Sequence, residues 1–145
     1  MLIVLEGCDG TGKTTIANNL KAILPNAEII HCTTETPNDF EFFRGLILAS
    51  KERDIIADRF CYGQFVYQAP EERKLTPEQL VALEVGMLAH GTKVIHVTAP
   101  VETIKTRLSW RKEKCPVSDI TDRYCELFEK TLIKPHLWWT GSDTD

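Results

Sequence analysis

The stretch VLEGCDGTGKTT, residues 4–15, decides the fold. An apolar run breaks at Gly7 into a loop that holds three glycines and one lysine, and an alternating apolar pattern resumes after it. The segment from Gly7 to Thr14 fits the pattern G-x-x-x-x-G-K-T. It follows a predicted strand and opens a predicted helix, which is the context that this pattern requires. The stretch therefore predicts a phosphate-binding loop.

The residue types of this loop explain how it would hold phosphates. Glycines let backbone N–H groups crowd around an anion, and the N-terminus of the next helix adds partial positive charge. Lys13 is expected to reach the outer phosphates, and the Thr14 hydroxyl is placed to ligate Mg²⁺. The residues assigned to ATP binding are Gly7, Cys8, Asp9, Gly10, Thr11, Gly12, Lys13, Thr14 and Thr15.

A second acid, Asp58, ends the apolar run DIIAD. In a parallel sheet, residues at the carboxyl ends of strands face the ligand crevice. We therefore predict that Asp58 joins Thr14 in holding Mg²⁺, in its case through water. A strand-end carboxylate in a local salt bridge is the alternative.

Short apolar runs alternate with helical patterns along the chain. The predicted strands cover residues 1–6, 27–31, 54–57, 93–98 and 137–140, and amphipathic helices lie between them. This alternation predicts right-handed βαβ units and a parallel sheet. We predict one α/β domain over residues 1–145.

Composition narrows the class of protein. The 145 residues are 43% apolar and 26% charged, and the net charge of -4 provides no global basic field for nucleic acid or anionic lipid. No apolar stretch approaches the roughly 18 residues of a membrane span, and no signal peptide is evident. The five cysteines are scattered without a C-x-x-C pair, which favours neither zinc nor disulfides. We expect a cytoplasmic protein without a membrane partner.

Three segments resemble the thymidylate kinases, within the P-loop nucleoside and nucleotide kinases. LIVLEGCDGTGKTT (2–15) is similar to the family's opening, including the acid at Asp9, and IIADRFCYGQFVYQ (55–68) is similar to its Asp-Arg-aromatic segment ending in Tyr-Gln. KVIHVTAPVETIKTRLSWR (93–111) matches more loosely. The resemblance implies a three-layer P-loop kinase fold of about five parallel strands flanked by helices, with a small lid around 108–120. It also implies that ATP and Mg²⁺ serve phosphorylation of a deoxynucleoside monophosphate, first of all dTMP or a related pyrimidine nucleotide.

The resemblance also implies roles for acceptor-binding residues. Asp9 would meet the acceptor's 3′-hydroxyl and pair with Arg59, which would bind the acceptor phosphate. The Phe-x-x-x-Arg element at Phe40 and Arg44 would contact the base. The implied substrate-binding residues are Asp9, Phe40, Arg44, Arg59, Tyr67 and Gln68. Purely structural roles stay open for these residues. Asp9 could stabilise a turn, Phe40 could be a core residue beside a solvated Arg44, and Tyr67 could be a core residue.

The predicted catalytic residues are the cations that would act on the migrating phosphoryl group. Arg107 and Arg111 lie four residues apart on one helix face, and we assign them this role together with Lys13 and Arg59. Arg123 is a third candidate for the lid. The alternative for Arg107 and Arg111 is an exposed basic face.

The acceptor region departs from the family. The segment after the second strand, HCTTETP (31–37), lacks the arginine of the family's Arg-x-Pro-Gly element, and Gly63 replaces the usual Ser. Three functions therefore stay open beside each other: a monophosphate kinase, a kinase of a nucleoside or of a hydroxymethylated base or end of DNA, and a non-catalytic nucleotide-binding module. A homodimer is also open. We interpret His31 and His96 as core or edge residues.

Overall fold

The computed structural model describes residues 1–32, 39–67, 74–109 and 117–140. Its strands are β1 (Leu2–Glu6), β2 (Glu28–His31), β3 (Ile55–Asp58), β4 (Lys93–Thr98) and β5 (His136–Trp139). Its helices are α1 (Lys13–Ile23), α2 (Phe40–Ala49), α3 (Gly63–Val66), α4 (Pro77–Ala89), α5 (Val101–Ser109) and α6 (Val117–Lys130). The strands form one sheet in the order β2-β3-β1-β4-β5, and every pairing is parallel. The predicted fold class is confirmed.

The central strand β1 explains the three layers. All five of its residues are buried, because helices cover both faces of the sheet. Leu2 and Val4 belong to the larger core cluster with α2, α4 and α6, whereas Ile3 and Leu5 pack with Ile16 of α1 on the other face. The near-continuous apolar run of β1 thus reflects burial on both sides.

Local sequence signals set the helix boundaries. Thr76 and Gln79 form a reciprocal capping box at the start of α4, and the Asp39 side chain accepts a hydrogen bond from Phe42 N at the start of α2. The short helix α3, which follows the Asp-Arg segment, was not predicted.

The topology gathers several loops at the carboxyl edge of the sheet. The phosphate-binding loop follows β1, and the register pairs His31 at the end of β2 with Asp58 at the end of β3. This edge is where open α/β sheets bind their ligands. Most of the predicted lid, 108–120, lies outside the described residues. No helix in the described ranges is long and apolar enough to cross a membrane.

Candidate active site

The phosphate-binding loop has a shape that needs glycine. A Cβ at Gly7 would lie 2.2 Å from the Val97 carbonyl oxygen of β4, and Gly7 has a φ of +153°. Gly10 and Gly12 have φ angles of +85° and +96°, in the left-handed region that L side chains rarely adopt. Gly12 caps α1 without a side-chain hydrogen bond, so the first N–H groups of the helix are left available to an anion.

Lys13 is buried inside this loop. Its ammonium Nζ donates to the carbonyl oxygens of Gly7, at 2.9 Å, and Cys8, at 3.0 Å. Burial, and then the charge of Arg59, lower the pKa of Lys13. Both hydrogen-bond partners are neutral, so phosphate oxygens would offer this desolvated cation a more favourable environment.

Thr14 and Asp58 form an oxygen pair suited to a hard cation. Thr14 Oγ1 lies 3.5 Å from Asp58 Oδ2, and the two residues come from α1 and the end of β3. No group of three or more His, Cys, Asp or Glu side chains in the described part of the chain could hold a metal. Mg²⁺ commonly takes one or two protein oxygens and completes its octahedron with phosphates and water, so the oxygens of Thr14 and Asp58 fit this ion.

The predicted contact between Asp9 and Arg59 is present. Arg59 Nη2 forms an ion pair with Asp9 Oδ1 and donates to the Tyr67 hydroxyl at 3.2 Å. The guanidinium carbon lies 4.4 Å from the centroid of the Tyr67 ring, a cation–π distance. Arg59 Nε is buried and has no hydrogen-bond partner in the described ranges. Arg59 itself has a φ of +67°, which is uncommon for a residue with a side chain.

Glu6 is a site residue that the sequence reasoning missed. Its Oε2 accepts hydrogen bonds from Phe60 N at 3.0 Å and Gly63 N at 3.1 Å, and its Oε1 accepts one from the Tyr124 hydroxyl at 3.0 Å. Glu6 is fully buried, and burial raises its pKa to about 7. The carboxyl group fixes the turn that carries Arg59. The sequence feature that could have indicated Glu6 is its position as a single acid at the end of an otherwise apolar predicted strand.

His31 lies on the edge strand β2, in line with its interpretation as a core or edge residue, and it has a cleft contact that was not predicted. Its Nδ1 lies 3.1 Å from Asp58 Oδ2, its side chain is 55% exposed, and it lines the same cleft as the loop. The position of both residues at strand ends could have indicated this contact. His96 is a core residue as interpreted, because it is buried and its ring packs against the rings of Tyr124 and Phe128.

Part of the phosphate-binding loop lines one cleft of about 230 Å³ together with His31, Asp58 and Arg59. The residues around it are Asp9, Gly10, Gly12, Lys13, Thr14, Thr15, His31, Cys32, Asp58 and Arg59. The cleft thus brings together two chemically different sets of groups. One is the phosphate-binding loop with Lys13, and the other is Asp58 and Arg59, which follow β3, with Arg59 ion-paired to Asp9 of the loop.

Arg107 contacts the outer side of the loop. Its Nη1 donates to the Gly10 carbonyl oxygen at 3.0 Å and to Thr140 Oγ1 at 3.2 Å, while Thr140 Oγ1 donates to the Thr11 carbonyl oxygen at 2.6 Å. Arg123 Nη1 instead donates to the Val66 carbonyl oxygen, at 3.2 Å. Arg107 is therefore placed to brace the loop, and Arg123 is among the residues that line a separate cavity between α4 and α6.

Phe40 and Arg44 are not among the residues that line the cleft. Phe40 and Arg44 line a depression between α2 and α4, and Arg44 Nη1 lies 3.6 Å from Glu41 Oε2. None of their described contacts reaches the phosphate-binding loop. Gln68 and Arg111 lie outside the described residues, so their roles stay predictions.

A parallel sheet in the order β2-β3-β1-β4-β5, with a glycine loop after β1 and an acid at the end of β3, defines the fold of the P-loop nucleotide kinases. YorR of Bacillus subtilis, solved in complex with phosphorylated GDP, has this fold and a TM-score of 0.83. The two chains are 30% identical over 98% of this chain and 87% of that one. The chain therefore belongs to the same protein family as YorR.

More distant solved structures share the fold. Thymidylate kinase from Candida albicans has a TM-score of 0.57 at 18% identity, over 97% of this chain and 84% of that chain. Deoxyadenosine kinase from M. mycoides with bound dCTP has a TM-score of 0.54 at 16% identity, over 100% of this chain and 92% of that chain. No protein-family model matches the sequence, and neither does any curated protein.

Proposed function

We propose that this protein transfers the γ-phosphoryl group of ATP to a deoxynucleoside monophosphate, and that dTMP or a related pyrimidine nucleotide is its acceptor. One observation carries the proposal. A single cleft combines a phosphate-binding loop with Arg59, an arginine from the segment after β3 that is ion-paired to Asp9 of the loop. A nucleotide-binding module that only binds ATP needs the loop, whereas a phosphotransferase also needs a cation for the acceptor.

The donor side would act mainly through charge. Lys13, the loop N–H groups and the α1 N-terminus would bind the phosphates of ATP and stabilise the negative charge that develops in the transition state. Thr14 and Asp58 would hold Mg²⁺, which when bound neutralises phosphate charge and orients the phosphoryl group. The protein's own part is to place these groups in one cleft before the substrates arrive.

The acceptor side would orient the attacking phosphate. The Arg59 guanidinium is already held by Asp9 and by the Tyr67 ring, so little of its freedom remains to be lost on binding. Its buried Nε, which has no partner in the described ranges, is a donor available to an acceptor oxygen after a small shift. Asp9 would accept a hydrogen bond from the sugar hydroxyl.

The relatives support phosphoryl transfer to a nucleotide and leave open which base the acceptor nucleotide carries. YorR was solved with phosphorylated GDP, and the more distant neighbours include a thymidylate kinase and a deoxyadenosine kinase. Phe40 and Arg44, which the resemblance assigns to thymine, lie away from the cleft. The acceptor panel must therefore include purine nucleotides beside dTMP.

An ADP-release assay coupled to pyruvate kinase and lactate dehydrogenase tests the proposal. The acceptors are dTMP, dUMP, dCMP, dGMP, dAMP and GMP, each with Mg²⁺-ATP, and Lys13→Ala is the control for contaminating kinases. We expect acceptor-dependent ADP release with at least one deoxynucleoside monophosphate and none with the variant. ADP release that is absent with every acceptor, from protein that binds ATP, would contradict the proposal.

A second candidate, phosphorylation of a nucleoside hydroxyl, has one observation in its favour. The imidazole of His31 is oriented by Asp58 at 3.1 Å and is exposed in the cleft, so it could accept a proton from a hydroxyl. Thymidine, deoxyadenosine and a hydroxymethylated DNA oligonucleotide belong in the same assay for this reason. A His31→Asn variant should lose activity on a hydroxyl acceptor and keep it on a monophosphate, since a phosphate oxygen needs no general base.

A further inference from the structure

Two carbonyl groups of the phosphate-binding loop accept hydrogen bonds from distant parts of the chain. Arg107 Nη1, on α5, donates to the Gly10 carbonyl oxygen at 3.0 Å, across 97 residues of sequence. Thr140 Oγ1, directly after β5, donates to the Thr11 carbonyl oxygen at 2.6 Å, across 129 residues. Lys13 holds the first half of the loop from within, whereas Arg107 and Thr140 hold the second half from outside.

The Thr140 hydroxyl connects these two donors. It accepts a hydrogen bond from Arg107 Nη1 at 3.2 Å, and it has a single proton to donate. The Thr98 carbonyl oxygen lies 3.3 Å from the same hydroxyl but already accepts from Thr140 N at 2.8 Å. The shorter contact, to the Thr11 carbonyl oxygen, therefore takes the proton. A charged donor on the Thr140 oxygen polarises the hydroxyl and strengthens the hydrogen bond that it makes.

A hydrogen bond that holds a carbonyl group also orients the N–H group of the next residue. The peptide bonds of the described residues are all trans, and in a planar trans peptide the C=O and the N–H point in opposite directions. The bond to the Gly10 carbonyl oxygen therefore turns the Thr11 N–H away from Arg107. The bond to the Thr11 carbonyl oxygen turns the Gly12 N–H away from Thr140 in the same way. N–H groups at this end of a phosphate-binding loop are the donors that phosphate oxygens need.

The glycines in this half of the loop leave its peptide groups with little rigidity of their own. Gly10 and Gly12 have φ angles of +85° and +96°, and glycine reaches other backbone conformations at little cost. Thr11 lies between them, so both peptide groups with a supported carbonyl oxygen adjoin a glycine. Without the two outside side chains, these peptide groups would rotate more freely and their N–H groups would lose a fixed direction.

We propose that Thr140 is a positioning residue for ATP binding. Its hydroxyl, held by Arg107, keeps the N–H groups of Thr11 and Gly12 directed at the phosphate oxygens of the bound nucleotide. Thr140 is not among the residues that line the cleft, so it acts through the loop and not by touching the nucleotide. The inference rests on the proposed function only in taking ATP as the ligand of the loop, and it does not depend on the acceptor.

Titration calorimetry with Mg²⁺-ATP measures this role without an acceptor. Thr140→Val keeps the shape of the side chain but removes the hydroxyl, and it should raise the Kd for ATP roughly tenfold, because the Thr11 carbonyl group loses its donor. Thr140→Ser keeps the hydroxyl and should bind ATP within about twofold of wild type. Thr131→Val is the matched control. The Thr131 hydroxyl also contacts backbone carbonyl oxygens, those of Phe128 and Ile133, but it borders the α4–α6 cavity, so the Kd should not change.

A ligand made only of phosphates separates positioning of the loop from contact with the nucleoside. Inorganic tripolyphosphate with Mg²⁺, measured by displacement of a fluorescent ATP analogue, should lose the same factor as ATP in Thr140→Val. A loss with ATP alone, or wild type that binds ATP but not tripolyphosphate, would overturn the proposal. An unchanged Kd for ATP in Thr140→Val would also overturn it and would leave the proposed reaction intact. Wild type that binds neither ligand would contradict the donor site itself, and both proposals with it.

The connection between Arg107 and Thr140 is tested by combining their variants. If the Thr140 hydroxyl depends on Arg107, Thr140→Val should raise the Kd for ATP by only about threefold in an Arg107→Ala background, against roughly tenfold in wild type. The double variant should therefore bind ATP better than the product of the two single effects predicts. Single effects that multiply in full would mean that the two side chains act separately, and would overturn this part of the proposal.

Discussion

Replacing Glu6 by Gln should make the protein more stable at neutral pH. Gln keeps the shape of Glu6, its oxygen can accept from Phe60 N and Gly63 N, and its NH₂ group can donate to the Tyr124 hydroxyl, which has free lone pairs. The variant therefore keeps a hydrogen bond with each of the three partners and removes the buried charge. The Tyr124 hydrogen bond reverses its direction, as it also can when the carboxyl group is protonated.

The pKa of Glu6 fixes the size of the effect. Burial raises this pKa from 4.5 to about 7, so the folded protein holds a proton that the unfolded chain releases between these values. The resulting stabilisation is complete below pH 4.5 and is lost as pH rises through about 7. The difference of about 2.5 pH units corresponds to ~3 kcal/mol of unfolding free energy.

Urea unfolding at a series of pH values measures this difference. Wild type and Glu6→Gln should have similar unfolding free energies at pH 4.5, and the variant should be more stable by ~3 kcal/mol at pH 8. Glu52→Gln, at an exposed position, is the control and should track wild type throughout. A difference between Glu6→Gln and wild type that does not change with pH would refute the reasoning.

Further variants test the cleft in steady-state kinetics. Lys13→Ala should lower kcat at least ~100-fold while circular dichroism stays unchanged, because the outer phosphates lose their cation; near-normal turnover would remove the loop from the mechanism. Asp9→Asn should lower kcat/KM for the acceptor about tenfold and leave the KM for ATP within about twofold, and a loss confined to ATP would contradict the acceptor role. Arg107→Ala should raise the KM for ATP roughly tenfold, because Gly10 and Thr140 lose a charged hydrogen-bond donor; a lower kcat at unchanged KM would favour a direct role in the transition state instead.

The fold could be predicted from the sequence because the sequence signals are local and agree with one another. The apolar run of β1, the glycine loop and the capping box at Thr76 each predict their element without reference to the rest of the chain. The alternation of strands and helices then limits the parallel sheet to a few possible topologies, because its crossover connections are right-handed. The pairing of Asp9 with Arg59 required the family resemblance, because 50 residues separate them.

The missed residues depend on contacts between distant segments. Glu6 is a site residue only because Phe60 N, Gly63 N and the Tyr124 hydroxyl converge on it, and no spacing pattern encodes that convergence. His31 acquires its partner through the pairing of β2 with β3. Periodicity places Phe40 and Arg44 on a helix but does not say which side of α2 meets the cleft.

Transfer of labelled phosphate tests the central claim most directly. The protein is incubated with Mg²⁺, [γ-³²P]ATP and each deoxynucleoside monophosphate, and the products are separated and digested to locate the label. We expect the label at the β-phosphate of a deoxynucleoside diphosphate, with none formed by Lys13→Ala. Label that is released only as inorganic phosphate, or that remains entirely in ATP while both nucleotides bind, would contradict a phosphotransferase with a donor and an acceptor site in this cleft.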